Sequence, residues 1–360
     1  MGRAAKSAIL VGLRGVGKTV LLDRLRDDAE SSGICTVRAE IPENRSLPAV
    51  LIPQVRQALL RLSRQEKARD LAVRGLVAIA GLVRSLKIKF SDIEVALDYG
   101  PEAGLADNGD LETDLTVVLE QVGLAARAAG TAVVLFLDEI QYLKEEQFGV
   151  LIAALHRCAQ RSLPVTVIGA GLPQLLAMAG NAKSYAERLF DFPFIGELND
   201  PEARLALEKP AAEAGVFYRT EAVDEILRLT HGYPYFLQEW AKHTWDIAKT
   251  SPIQKSDVEL ATPEALAALD ESFFRMRFER TTPKEKRYLR AMAELGPDSH
   301  RSGDIAAAMH KRVGEVAPLR QSLINKGMIW SPAHGDTAFT VPLFDEFMKR
   351  IMPGDDWKTE

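Results

Sequence analysis

Long apolar runs are missing from this sequence, and cysteine is nearly so. Two Cys occur in 360 residues, Cys35 and Cys158, in the apolar contexts "GICTV" and "LHRCAQ". Neither has metal-type spacing, which disfavours a disulfide framework or a zinc site and fits a reducing cytoplasm. The most apolar run, Leu71 to Val83, is interrupted by Arg74 and is too short to span a bilayer. It reads as a buried helix, with an interfacial role as the alternative, and no membrane partner is expected. The opening "MGRAAKSAILVG" holds basic residues but no apolar stretch ending in a cleavage site. No large charge excess is present either: a net charge of -5 and a pI near 5.8 exclude a coat of basic surface and leave room for a local basic face. At 47% hydrophobic and 26% charged residues the composition is globular and excludes disorder. The length suits two or three domains.

The sequence does contain "VGLRGVGKTVLL", Val11 to Leu22. Gly12, Gly17, Lys18 and Thr19 occupy the fixed places of G-x-x-x-x-G-K-[ST], with Gly15, Val16 and Val20 completing the candidate phosphate-binding stretch. Ser7 to Val11 has strand length, and Val20 to Arg26 continues in a helical pattern, the context this motif requires. Glycines there let backbone N–H groups turn around phosphates. Lys18 reaches the β and γ oxygens, Thr19 ligates Mg²⁺, and the helix N-terminus adds a favourable dipole.

A second half of such a site needs an acid at the end of another buried strand. "AVVLFLDEIQYL" provides it: Val133 to Leu137 is continuously apolar, as in a parallel strand covered on both faces, and ends in Asp138 and Glu139. Ligands of open α/β sheets bind beyond the carboxyl ends of the strands. Asp138 is therefore expected to hold Mg²⁺ through water, and Glu139 to orient or deprotonate an attacking water. Taken alone, the pair would also suit an ordinary helix start.

Other segments set the organisation. "GICTVRAEI" reads as a strand and Leu47 to Leu62 as a helix. Lys87 to Asp98 alternates like two short strands, and Asp110 to Gly130 reads as a long helix capped by Asp110. Leu163 to Leu172 and Phe190 to Leu198 read as further strands, so alternating strands and helices imply a parallel sheet. Residues 63–108 read as an insertion. From Asp200 the pattern is helical, with Asp200 and Thr220 as expected caps, Gly232 as a stop and Pro234 opening a helix whose Phe236, Leu237, Trp240 and Ala241 share a face. After Thr281, "TPKEKRYLRAMAEL" places Tyr288, Leu289, Met292 and Leu295 at helical spacing. "SGDIAAAMH" and "GEVAPLRQSLINKG" are two more helices, and "MIWSPAHGDTAFTV" reads as two strands around His334-Gly335-Asp336. Three helices and a hairpin follow the winged-helix plan. Pro283 to Trp330 carries nine Lys and Arg against five Asp and Glu, a local basic excess.

These residues resemble AAA+ ATPases of the kind related to archaeal and eukaryotic replication-origin initiators and to STAND signalling switches, over almost the whole chain. "GLRGVGKT" is similar to Walker A and "VVLFLDE" to Walker B. "HGYPYFLQEW" resembles the Gly-x-Pro lid motif, whose proline lies near the adenine in relatives, which implies Pro234 as a nucleotide contact. "SYAERLF" resembles the segment that carries an arginine before the last core strand, which implies Arg188 as an arginine finger or sensor. The resemblance implies an α/β fold: a P-loop AAA+ parallel-sheet core over residues 1–199, a helical lid over 200–280 and a winged-helix domain over 281–360. ATP and Mg²⁺ are the implied cofactors. Three departures stand out. The strand "VTVIGAGLP" ends in Gly169, Ala170 and Gly171 with no polar sensor. His231 stands where the lid commonly has arginine. The segment before the loop that helps bind adenine in many relatives is nearly absent, implying loose base selectivity or a start other than the natural one.

Alternatives remain open at this level. Pro234 needs no ligand at the first turn of a helix, and Arg188 could pair with Glu187 or Asp191. On the third C-terminal helix Val316, Leu319 and Leu323 should face the core and leave Arg320, Gln321 and Asn325 outward. Lys311 and Arg312 would then touch duplex DNA phosphates while Arg320 and Gln321 read bases; the same face also suits a protein partner. A DNA-associated ATPase, homo-oligomeric or otherwise, leads. A STAND-like switch with a protein partner is second, and a P-loop kinase for a small molecule is third.

Overall fold

The computed structural model describes residues 6–86 and 102–358; the paired strands expected in 87–98 lie outside them. The chain divides into two compact units. The first holds 1–11 and 18–194, and the second holds 12–17 and 195–360.

The first unit contains β1 (Ser7–Val11), α1 (Lys18–Ser31), β2 (Cys35–Glu40), α2 (Leu47–Leu62), α3 (Arg69–Ser85), α4 (Leu111–Ala128), β3 (Val133–Asp138), α5 (Glu145–Gln160), β4 (Val165–Gly171), α6 (Leu175–Ala182), α7 (Ala186–Leu189) and β5 (Phe190–Asp191). The strands form one sheet in the order β2-β3-β4-β1-β5, and every pairing is parallel. All six residues of β3 are buried, as its unbroken apolar run requires. β5 is shorter than expected: after Asp191 the chain keeps only an isolated bridge from Phe194 to Val11.

Within the segment read as an insertion, α3 packs into this core. Ala72, Leu76, Ile79 and Leu82 of α3 are buried among residues of α2 and α4. Gly75 permits the close crossing, since a Cβ there would lie 2.8 Å from Leu59. The expected cap of α4 is present, Asp110 accepting from the Thr113 N–H at 2.8 Å. Buried Asp114 fastens the preceding turn by accepting from the amides of Asn108 and Gly109 and the hydroxyl of Ser85. Both cysteines are free thiols, and burial pushes Cys158 up to about 12. Among the described residues no helix is long and apolar enough to cross a membrane.

The second unit contains α8 (Asp200–Glu213), α9 (Thr220–Thr230), α10 (Pro234–Ile247), α11 (Lys255–Ala268), α12 (Arg275–Phe278), α13 (Pro283–Leu295), β6 (His300–Arg301), α14 (Ser302–Ala308), α15 (Val313–Asn325), β7 (Ile329–Trp330), β8 (Asp336–Phe339) and α16 (Phe344–Ile351). Two expected caps move. Asn199, not Asp200, caps α8 in a capping box with Glu202. Thr220 is the first residue inside α9. His231 ends α9 in a left-handed conformation, φ 51°, and Gly232 follows at φ 73°.

The expected boundary near 281 falls inside one continuous core. A π-helical turn over Leu269–Phe274 supplies consecutive aromatics. Phe273 stacks on Tyr235 at 4.6 Å, and Phe274 stacks on Phe347 at 5.2 Å. Tyr288, Leu289 and Met292 of α13 are buried as predicted, but Leu295 is 39% exposed at the helix end. The hairpin gains a third strand, in the antiparallel order β6-β8-β7.

Candidate nucleotide site

In the first unit the parallel pairing brings the carboxyl ends of β1, β3 and β4 to one edge of the sheet. Lys18 and Thr19 open α1, whose first turn carries no acidic residue to compete with a phosphate. Asp138 closes β3 with its side chain almost fully enclosed. Its Oδ2 lies 3.3 Å from Arg38 Nη2, and its Oδ1 accepts the Glu139 N–H at 2.9 Å. Arg38 also donates to Asp23 Oδ1 at 3.0 Å, so one guanidinium ties α1 to the end of β3.

Glu139 adopts φ 53°, ψ 39°, the left-handed region that costs a non-glycine residue roughly 1–2 kcal/mol. The surroundings hold it there. Gln141 Nε2 donates to Glu139 Oε2, while Gln141 Oε1 accepts the Leu172 N–H at 3.1 Å. Sequence reasoning missed Gln141; the signal available was an amide two residues after the acid. At the end of β4, the space beside Gly169 and Gly171 is taken by neighbouring side chains, since a Cβ would meet Ile140 Cδ1 at 2.2 Å and Leu175 Cδ1 at 2.3 Å.

Arg188 is exposed on the four-residue α7. Of its two candidate partners, Asp191 pairs instead with Lys6 at 2.5 Å.

The loop itself, 12–17, is grouped with the second unit. Gly15 and Gly17 have φ of 84° and 88°, conformations that favour glycine. A Cβ on Gly17 would meet nothing within 4 Å, whereas a Cβ on Gly12 would stand 2.0 Å from the Ile195 carbonyl oxygen. Val16 is buried and Val20 is 74% exposed. The structure brings the loop and the start of α10 together: Tyr235, next to Pro234, donates its N–H to the Gly15 carbonyl at 3.1 Å. The Arg14 N–H donates to the Thr340 carbonyl, also at 3.1 Å. Pro234 lines an apolar pocket of about 350 Å³ between α8 and α10, with Leu207, Tyr218, Leu237 and Trp245.

The C-terminal candidates separate. Val316 and Leu323 are buried and Leu319 packs against the core, as expected. Gln321 is exposed and donates to Asn325 Oδ1 at 3.0 Å, Lys311 is half-buried, and the Arg312 side chain is 90% exposed beside Glu315. Arg320 corrects its expectation. Its guanidinium is turned to the hairpin, donating at 2.8 Å to Thr337 Oγ1, Ser331 Oγ and the Asp336 carbonyl. Periodicity places the residue outward but cannot see acceptors on β8.

Among the described residues no three His, Cys, Asp or Glu gather as a metal-binding group.

Two family models match the chain: an AAA ATPase domain over residues 1–168 and a domain of unknown function over 271–348. No curated protein sequence matches it. Among solved structures, a Thermotoga maritima RuvB variant is 15% identical, covering 94% of this chain and 85% of that one with a TM-score of 0.45. The Aeropyrum pernix Orc1 protein, solved in complex with DNA, is 16% identical, covering 97% and 87% with a TM-score of 0.44. Residues 1–168 match an AAA ATPase domain, and the phosphate loop and the all-parallel sheet, whose last strand is Phe190–Asp191, have the α/β arrangement of a P-loop AAA+ fold.

Proposed function

We propose that the chain binds ATP with Mg²⁺ and hydrolyses it, the nucleotide state acting as a switch for association with duplex DNA. The observation that carries the hydrolytic reading is the end of β3, where enclosed Asp138 is followed by Glu139 in a held, left-handed conformation. In this reading backbone amides of the loop and Lys18 hold the phosphates, Thr19 and Asp138 hold Mg²⁺, and Glu139 aligns the attacking water. The bound metal supplies charge neutralisation on the phosphate oxygens. Pro234 borders the base, and Arg188, exposed on α7, supplies positive charge to the site of a neighbouring copy.

The DNA reading is supported by the winged-helix order of α13, β6, α14, α15, β7 and β8, and by the basic excess within it. Lys311 and Arg312 would meet phosphates, and Gln321 base edges. The second reading, a STAND-like switch with a protein partner, is favoured by one observation: Arg320 is spent on the hairpin, leaving fewer base-reading groups on α15.

The test compares two substitutions by nucleotide binding and by product analysis for ADP and free phosphate. Lys18→Ala should lose ATP binding. Glu139→Gln should bind ATP and hydrolyse it at least about 100-fold more slowly, because only a transition-state interaction is removed. Parental hydrolysis by Glu139→Gln would remove Glu139 from the mechanism, and a phosphorylated acceptor in place of free phosphate would make the protein a kinase.

A further inference from the structure

No side chain at the end of β4 is polar, yet the space there is not apolar. A Cβ on Gly171 would stand 2.3 Å from Leu175 Cδ1 and 2.5 Å from Gln141 Oε1, so a leucine methyl and the amide of Gln141 share the volume that a β4 side chain would take. The amide is held from one side and holds on the other. Its oxygen accepts the Leu172 N–H at 3.1 Å, and its nitrogen donates to the Glu139 carboxylate. Glu139 is fixed at the backbone as well, its N–H donating to Asp138 Oδ1. A primary amide offers an acceptor to Leu172 and a donor to a carboxylate from one planar group; a carboxylate at 141 would repel Glu139, and an aliphatic side chain would leave both partners unmet.

We propose that Gln141 is a positioning residue for hydrolysis. It fixes the carboxylate of Glu139 in the orientation that aligns the attacking water, and it passes any shift of the end of β4 directly to that carboxylate. Gly171 is the second component, small so that the amide can lie against the strand. The inference rests on the reading of Glu139 as the water-aligning acid, and its test separates the two.

The experiment measures steady-state kcat and KM for ATP hydrolysis, and ATP binding, for Gln141→Leu, Glu139→Gln, the double variant and Gly171→Ala. Gln141→Leu preserves volume and removes both hydrogen bonds. It should lower kcat by about 10- to 100-fold with ATP affinity unchanged, the scale expected when a reacting group is misplaced but present. Gly171→Ala, whose methyl would press on both Leu175 and the amide, should give the same split, which provides a second route if Gln141→Leu does not fold. In the Glu139→Gln background Gln141→Leu should cause no further loss, because a residue acting through Glu139 has nothing left to act on. Parental kcat in both Gln141→Leu and Gly171→Ala, a rise in kcat, or losses that multiply with Glu139→Gln would each overturn the proposal. Parental hydrolysis by Glu139→Gln alone would instead overturn the assignment of Glu139, whatever Gln141 does.

Discussion

Arg38 Nη2 stands 3.3 Å from Asp138 Oδ2, so the acid proposed to hold Mg²⁺ is paired with a cation from the neighbouring strand. The Asp138 side chain is 5% exposed and that of Arg38 is 23% exposed. Removing the guanidinium leaves a nearly enclosed carboxylate without its partner. Arg38→Met should therefore destabilise the nucleotide-free protein by roughly 1–3 kcal/mol. Added Mg²⁺ and ATP should recover more stability in the variant than in the parent, because the metal then meets an unpaired acid. Urea unfolding with and without Mg²⁺ and ATP checks both points, and equal recovery in the two proteins would detach Asp138 from the metal.

For Arg188, mixing Arg188→Ala protein with Lys18→Ala protein should restore part of the ATPase activity that each lacks alone. A mixed interface then holds one intact loop and one intact arginine. The absence of rescue would place Arg188 in its own chain's site, and undiminished activity of Arg188→Ala alone would make it a surface residue.

The C-terminal face gives a three-way split in duplex binding followed against salt. Replacing Lys311 and Arg312 by Ala should weaken binding to all duplexes alike and lower the salt slope by roughly 0.9 for each phosphate no longer neutralised. Gln321→Ala should reduce sequence preference. Arg320→Ala should show first as a stability loss of about 1–3 kcal/mol, since Thr337, Ser331 and the Asp336 carbonyl lose their donor. If the intact protein shows no salt-sensitive duplex binding with ATP, with ADP or without nucleotide, the protein-partner reading replaces the DNA reading.

Glu285 sets an acid limit on the second unit. Burial alone would raise its pKa, but hydrogen bonds from Lys326, Ser322 and Thr282 bring the carboxyl down to about 2. A folded-state value below the unfolded one of about 4.3 means stability that is complete above pH ~4.3 and is lost as pH falls towards 2, about 3 kcal/mol in all. Glu285→Gln should flatten that part of the stability curve while lowering stability at neutral pH; an unchanged acid limb would show that Glu285 does not govern it.

Legibility in the sequence follows the physics of each element. β3 is readable because a strand buried on both faces is a continuous apolar run, β1 and β4 because short apolar-rich stretches lead into turn signals, and Asp110 because a cap lies three residues from the amide it serves. β5 is overread: the apolar pattern of Phe190 to Leu198 continues past the pairing, which ends at Asp191 apart from one bridge. Within 63–108, the packing of α3 against α2 and α4 is not legible, because comparison with a minimal core says nothing of what an added helix packs against. Arg320 is illegible, and Gln141 is only half legible through its neighbour Glu139. The partners that fix their orientation, Leu172 for Gln141 and Thr337 for Arg320, lie 31 and 17 residues away and are chosen by folding, not by spacing.

The backbone bond from Arg14 to Thr340 makes the phosphate loop a shared possession. An amide in the loop is committed to a carbonyl just after β8, in the segment that follows the hairpin. A nucleotide that reorients the amide must work against whatever stabilises that segment, and a partner that grips the segment must work for or against the nucleotide. Linkage requires the two influences to be equal: the factor by which ATP alters the partner's affinity is the factor by which the partner alters that of ATP. Measuring either one gives the other, and the protection of the Arg14 amide from hydrogen exchange reports the state of the bond between them.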